Sequence, residues 1–88
     1  MSYGIRFSRE AEKDFARLDR TLRERVRQRV RALAENPYDP RIGKMLTGGT
    51  RIRSSRVGGW RILYVVNQSA GEVEIITIRP RGEVYRRL

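Results

Sequence analysis

The chain contains neither cysteine nor histidine. The first absence excludes disulfides and thiolate metal sites. The second removes the usual protein metal ligand and the usual acid–base group near neutral pH. No metal and no cofactor are expected on these grounds. No apolar run approaches the roughly 18 residues that suggest a membrane span, and the N-terminus lacks the apolar stretch of a signal peptide. The expected location is cytoplasmic, with no membrane partner. Acidic residues are scarce in one place above all, since none occurs between Asp39 and Glu72. Over the same stretch Arg41, Lys44, Arg51, Arg53, Arg56 and Arg61 are cationic. Six cations without a neighbouring counter-charge favour an anion-binding surface over an ordinary solvated sheet face.

What is present sharpens that reading. The 88 residues carry a net charge of +10. Residues 1–40 hold ten Lys/Arg against seven Asp/Glu, whereas residues 41–88 hold ten against three. The second half therefore calls for a polyanionic partner, either nucleic acid or an acidic protein. Eighteen of the twenty cations are arginine, the side chain suited to bidentate phosphate contact and base stacking. A chain of this length is expected to form a single domain over residues 1–88, burying about 60–65% of its unfolded surface. That leaves no room for a deep small-molecule cavity.

Periodicity gives the elements. Tyr3, Ile5 and Phe7 alternate with polar or small residues as in a short half-buried strand. Ser8 is the expected N-cap of a helix over about 9–19, with Ala11, Phe15 and Leu18 on its apolar face. Thr21 and Glu24 fit a capping box opening a second helix. Leu22, Val26, Val30 and Leu33 form its stripe, and it ends at Asn36 before Pro37. Arg20, Arg23, Arg27 and Arg31 form a separate cationic stripe, which reads more simply as helix surface than as a phosphate track. Arg29, beside the apolar stripe, is expected to snorkel along its edge. Residues 36–50 read as a long surface loop. Strands are expected over about 50–56, 60–66 and 72–78, with turns at Val57–Gly59 and Asn67–Gly71. Alternation places Arg51 and Arg53 on one face and Ile52 on the other, while Arg61 opposes Ile62 and Tyr64. Trp60 and Tyr64 are assigned to the core. The order β-α-α-β-β-β gives an α+β fold: a small, mainly antiparallel sheet with an N-terminal helical hairpin on one face and the arginines on the other, open face.

Three stretches also resemble a known superfamily. Lys44-Met45-Leu46-Thr47-Gly48 is similar to a K-x-L-x-G loop. Arg56 through Tyr64 is similar to an R-x-G-x-[YW]-R-[IV]-[IVL]-Y signature, and Arg81-Gly82-Glu83-Val84-Tyr85 to an R-x-x-[VA]-Y tail. With Phe7 to Asp14 and the hairpin ending at Asn36-Pro37, these resemble the RelE/ParE toxins of toxin–antitoxin systems over nearly the full length, and the RelE-like branch more than the other. The resemblance implies a toxin that cleaves messenger RNA on the ribosome, with a cognate acidic antitoxin as its other partner and no homo-oligomer implied. It implies catalytic roles for Arg53, Arg61, Arg81 and Tyr85, and RNA-binding roles for Lys44, Arg51, Arg56 and Arg79. Some relatives have a lysine pair where this chain has Arg51 and Arg53, and others a histidine near the C-terminus.

The implied reaction is metal-independent attack of a 2′-hydroxyl on the adjacent phosphorus. Arginine is a poor general base, its pKa being above about 12. What these residues offer is fixed positive charge for the phosphorane. Arg61 is the expected phosphate clamp, with Arg81 beside the leaving 5′-oxygen. Tyr85 stacks on a base, helps position the nucleophile, or covers the core. Two other functions stay open: ParE-like inhibition of DNA gyrase without catalysis, and RNA binding without cleavage.

Overall fold

Ser8 is where the chain turns from strand to helix. Its hydroxyl accepts from the Ala11 amide at 3.0 Å and donates to the Ile76 carbonyl at 2.6 Å. The computed structural model describes residues 2–46, 48 and 50–80. Within them run β1 (Gly4–Phe7), α1 (Arg9–Arg17), α2 (Arg20–Glu35), β2 (Lys44–Met45), β3 (Arg53–Val57), β4 (Trp60–Asn67) and β5 (Glu72–Pro80). The α+β architecture expected from the sequence is the one observed. The strands form one sheet in the order β1-β5-β4-β3-β2. β1 runs parallel to β5, and every other pair is antiparallel.

The helical hairpin packs where periodicity puts it. Ala11 and Leu18 from the first helical segment, with Val26, Val30 and Leu33 of α2, meet Val57, Ile62, Tyr64, Val73, Ile75 and Ile78 of the sheet. Tyr64 is fully buried, as assigned, and its hydroxyl donates to the Pro37 carbonyl at 3.2 Å. Trp60 packs half-buried against the same cluster.

Three local expectations are corrected. The N-cap of α2 is Asp19, whose Oδ1 accepts from the Leu22 amide at 2.8 Å. Asp outranks Thr as a cap and its charge suits the helix N-terminus, so Thr21 lies inside the helix and Glu24 pairs with Arg27 at 2.7 Å. Residues 36–50 are not wholly a loop, because Lys44 and Met45 pair with Ser54 and Arg53 as an edge strand. Finally, β3 begins at Arg53 rather than near residue 50 and runs through Val57. The Gly58–Gly59 turn joins β3 to β4, and Gly58, at φ +59°, takes the left-handed conformation that glycine accepts without steric cost.

Asp14 places α1 relative to the sheet. β1 stops at Phe7 while β5 continues to Pro80, leaving backbone donors on the β5 edge without a strand partner among the described residues. The Asp14 carboxylate takes one of them, accepting from the Ile78 amide at 3.0 Å and from the Thr77 hydroxyl at 2.7 Å. The helix thus continues the sheet's edge where the strand ends.

Candidate nucleic-acid interface

Arg56 on β3 stands directly opposite Arg61 on β4, and Arg61 stands directly opposite Arg79 on β5. Direct partners share a face of the sheet, so three arginines form one row across three adjacent strands. The row faces away from the core, since the neighbouring pairs Ser55–Ile62 and Ile62–Ile78 point into it. Like charges placed directly opposite destabilise a sheet, by roughly 0.2–1 kcal/mol a pair. Each member of the row therefore needs acceptors of its own to offset that repulsion.

Each arginine is held differently. Arg61 is only 4% exposed, and its Nη1 donates to the buried Ser54 hydroxyl at 3.1 Å. Arg79 reaches around the β5 edge to α1, where Nη2 donates to Glu10 at 2.8 Å and Nη1 lies 3.6 Å from Asp14. The hydrogen bond from Arg79 is the main reason the Glu10 carboxyl titrates below its ordinary value. Asp14 is buried, and its donors Thr77, Ile78 and Arg79 offset the cost of desolvating a carboxylate. Arg56 has an exposed side chain, while its carbonyl accepts from Arg29 Nη1 of α2 at 2.6 Å.

The structure brings together only part of the expected site. Arg61 leaves the sheet by the outer face, as its alternation with Ile62 requires, but it is buried there rather than projecting freely. Arg56 and Arg79 join it. Lys44 pairs with Ser54 and so shares that face, at the β2 edge. Arg53 does not join the row. It stands opposite Tyr64, on the helix side, where its Nε donates to the Tyr64 hydroxyl at 3.4 Å and its guanidinium lies 5.4 Å from the centre of the Tyr38 ring. The two-residue turn explains this. Across the hairpin, partner numbers add to an odd constant (53 with 64, 56 with 61), so an odd-numbered residue of β3 shares a face with an even-numbered one of β4. Arg51 is exposed and precedes β3. Arg81 and Tyr85 lie outside the described residues.

Four participants escaped the sequence reading. Ser54 takes the position beside Arg61 that the face assignment gave to Arg53. Glu10 and Asp14 anchor Arg79, and Asp14 left a readable signal, a carboxylate on the same helical face as Ala11 and Leu18. Arg29 does lie at the edge of the apolar stripe, yet its head is hydrogen-bonded to Ser55 Oγ at 2.9 Å and to the Arg56 carbonyl rather than free in water.

The family model described as "ParE toxin of type II toxin-antitoxin system, parDE" matches residues 5–85. A search of curated proteins gives no match. Among solved structures, the RelBE2 toxin–antitoxin complex from Mycobacterium tuberculosis is similar with a TM-score of 0.81 at 26% identity, covering 92% of this chain and 100% of that one. The archaeal RelE–RelB complex from Pyrococcus horikoshii OT3 gives 0.76 at 25% identity, covering 93% and 98%. The intact RelBE complex of E. coli gives 0.80 at 22% identity, covering 90% and 96%, a likeness of fold.

Proposed function

The chain belongs to the ParE toxin family of type II toxin–antitoxin systems, on the RelE-like side of the RelE/ParE superfamily, and from that premise we propose that it is a ribosome-dependent endoribonuclease acting on messenger RNA. The observation that carries this reading is the row Arg56–Arg61–Arg79. In the proposed reaction the 2′-oxygen bonds to phosphorus as its proton leaves. The bond from phosphorus to the 5′-oxygen then breaks, and that oxygen takes a proton. The products are a 2′,3′-cyclic phosphate and a 5′-hydroxyl. Arginine neither accepts nor gives the proton at neutral pH, so the role of Arg61 and Arg79 is to stabilise charge that grows on the phosphorane oxygens. Arg81 is assigned to the leaving oxygen and Tyr85 to base stacking. Lys44 and Arg56 bind flanking phosphates.

The partner is proposed to be an acidic antitoxin. Several of the similar structures are complexes of RelE-type toxins with RelB antitoxins, and a face this basic complements a carboxylate-rich segment.

A second reading has two observations in its favour. Arg53 faces away from the row, and Arg61 is buried. Both suit a toxin that blocks its target by binding alone, as in gyrase inhibition. Primer extension on a translated message, run beside a gyrase supercoiling assay, separates the two. Message cut by the purified toxin supports the nuclease. Intact message with inhibited supercoiling contradicts it.

A further inference from the structure

Beside the arginine row, at the β3 edge, the chain leaves a gap. β2 pairs with β3 only at Ser54 and Arg53. The segment Pro40–Gly43 diverges, so among the described residues the β3 edge beyond Ser54 has no strand beside it. A cleft of about 390 Å³ lies there. Arg29, Arg41, Lys44, Ser54, Arg56 and Arg61 contribute to its lining, and no carboxylate among the described residues does. These residues come from α2, β2, β3, β4 and the connecting loop, so sequence neighbours alone did not crowd the cations together. Arg41 is engaged by Asp39 at 2.9 Å. Arg29 is fixed by its bonds to Ser55 and the Arg56 carbonyl, which presents the rest of its planar fork without further ordering. The Ser54 hydroxyl adds a neutral donor. Guanidinium, ammonium and hydroxyl donors converging on one small polar cleft match the oxygens of a phosphate group.

We propose that this cleft is a phosphate-binding subsite, in which Arg29, Lys44 and Arg56 hold a phosphodiester of the same RNA strand that lies on the arginine row. The proposal rests on the RNA-directed reading above and adds to it a residue of the helical layer, Arg29, as an RNA contact. The same donors also suit free phosphate, so the test compares the two sources.

The intact toxin is titrated in low salt with inorganic phosphate and, separately, with a 2′-O-methyl trinucleotide that the proposed reaction cannot cleave, while backbone amide resonances are followed. Both ligands shift the amides of residues 42–44 and 54–57, and the trinucleotide binds at least about tenfold more tightly because it also reaches the row. Arg29→Gln and Lys44→Gln each weaken trinucleotide binding by about threefold to tenfold. Arg20→Gln, an equal charge change at the far end of the same helix, alters it by less than about twofold. Lys44 is exposed on a two-residue strand, so its variant remains informative even if Arg29→Gln unfolds. Equal losses in Lys44→Gln and Arg20→Gln would overturn the subsite. So would trinucleotide binding no tighter than phosphate, which would mark the cleft as a free-phosphate site. If Lys44→Gln binds like wild type while Arg61→Ala abolishes message cleavage, the subsite fails and the nuclease reading stands. No trinucleotide binding by wild type overturns the subsite, and absent message cleavage beside it overturns the nuclease as well.

Discussion

Arg61 and Arg79 are direct partners on β4 and β5, and they are anchored from opposite sides. Arg61 is held by Ser54 of β3, and Arg79 by Glu10 and Asp14 of α1. Two cations that repel are thus kept side by side through separate sets of acceptors. The helix contributes its carboxylates at the sheet edge, where a longer β1 would have excluded them.

That arrangement makes Asp14 a residue of high structural consequence. Asp14→Ala leaves the Thr77 hydroxyl and the Ile78 amide without their shared acceptor in a buried place. The expected cost is about 2–4 kcal/mol by urea denaturation. Glu12→Ala, on the exposed side of the same helix, should stay within about 0.5 kcal/mol. Similar midpoints for the two variants would contradict the assignment.

Acid should loosen the Arg79 anchor. The Glu10 carboxyl is shifted below its ordinary value, chiefly by the hydrogen bond from Arg79. A depressed folded-state value means this contribution is present above the unfolded value and is lost as pH falls through the folded one. An NMR titration should place the Glu10 transition below that of an unfolded-chain carboxylate. In Arg79→Ala the transition should move back up. An unmoved transition would show that Arg79 is not the cause.

Gly43 tests the anchoring of the loop beneath the cleft. A Cβ there would collide with the Tyr64 hydroxyl, which is bonded to the Pro37 carbonyl. Gly43→Ala should cost about 1–3 kcal/mol, seen as a lower melting temperature. Gly59→Ala, with nothing near its added carbon, serves as the control and should change little.

Much of the fold was legible because the strongest signals are periodic. The 3.6-residue stripe Val26–Val30–Leu33 and the alternation in Trp60–Val66 each have one physical solution. Ser8 as N-cap and Asn36 as helix end follow from local chemistry. The site was less legible because it depends on register. Arg61 could be placed on a face from β4 alone. Arg53 needed the hairpin's pairing, which is set by the Gly58–Gly59 turn and cannot be read from either strand separately. Likewise, the Glu10–Arg79 contact joins residues 69 apart in sequence, and nothing local announces it.

The central claim is that the outer-face row, not every sheet arginine, acts on RNA. Primer extension on a translated message measures it most directly, with thermal melts correcting for folded fraction. Arg61→Ala should lower cleavage by about 10²–10³-fold, the effect of removing one strong transition-state donor. Burial and the Ser54 contact add a stability cost of about 1–3 kcal/mol. Arg79→Ala should fall in the same range of activity loss. Arg53→Ala, which removes the same charge from the opposite face, should keep cleavage within about threefold of wild type. Cleavage lost equally in Arg53→Ala and Arg61→Ala would contradict the account, as would wild-type rates in Arg61→Ala.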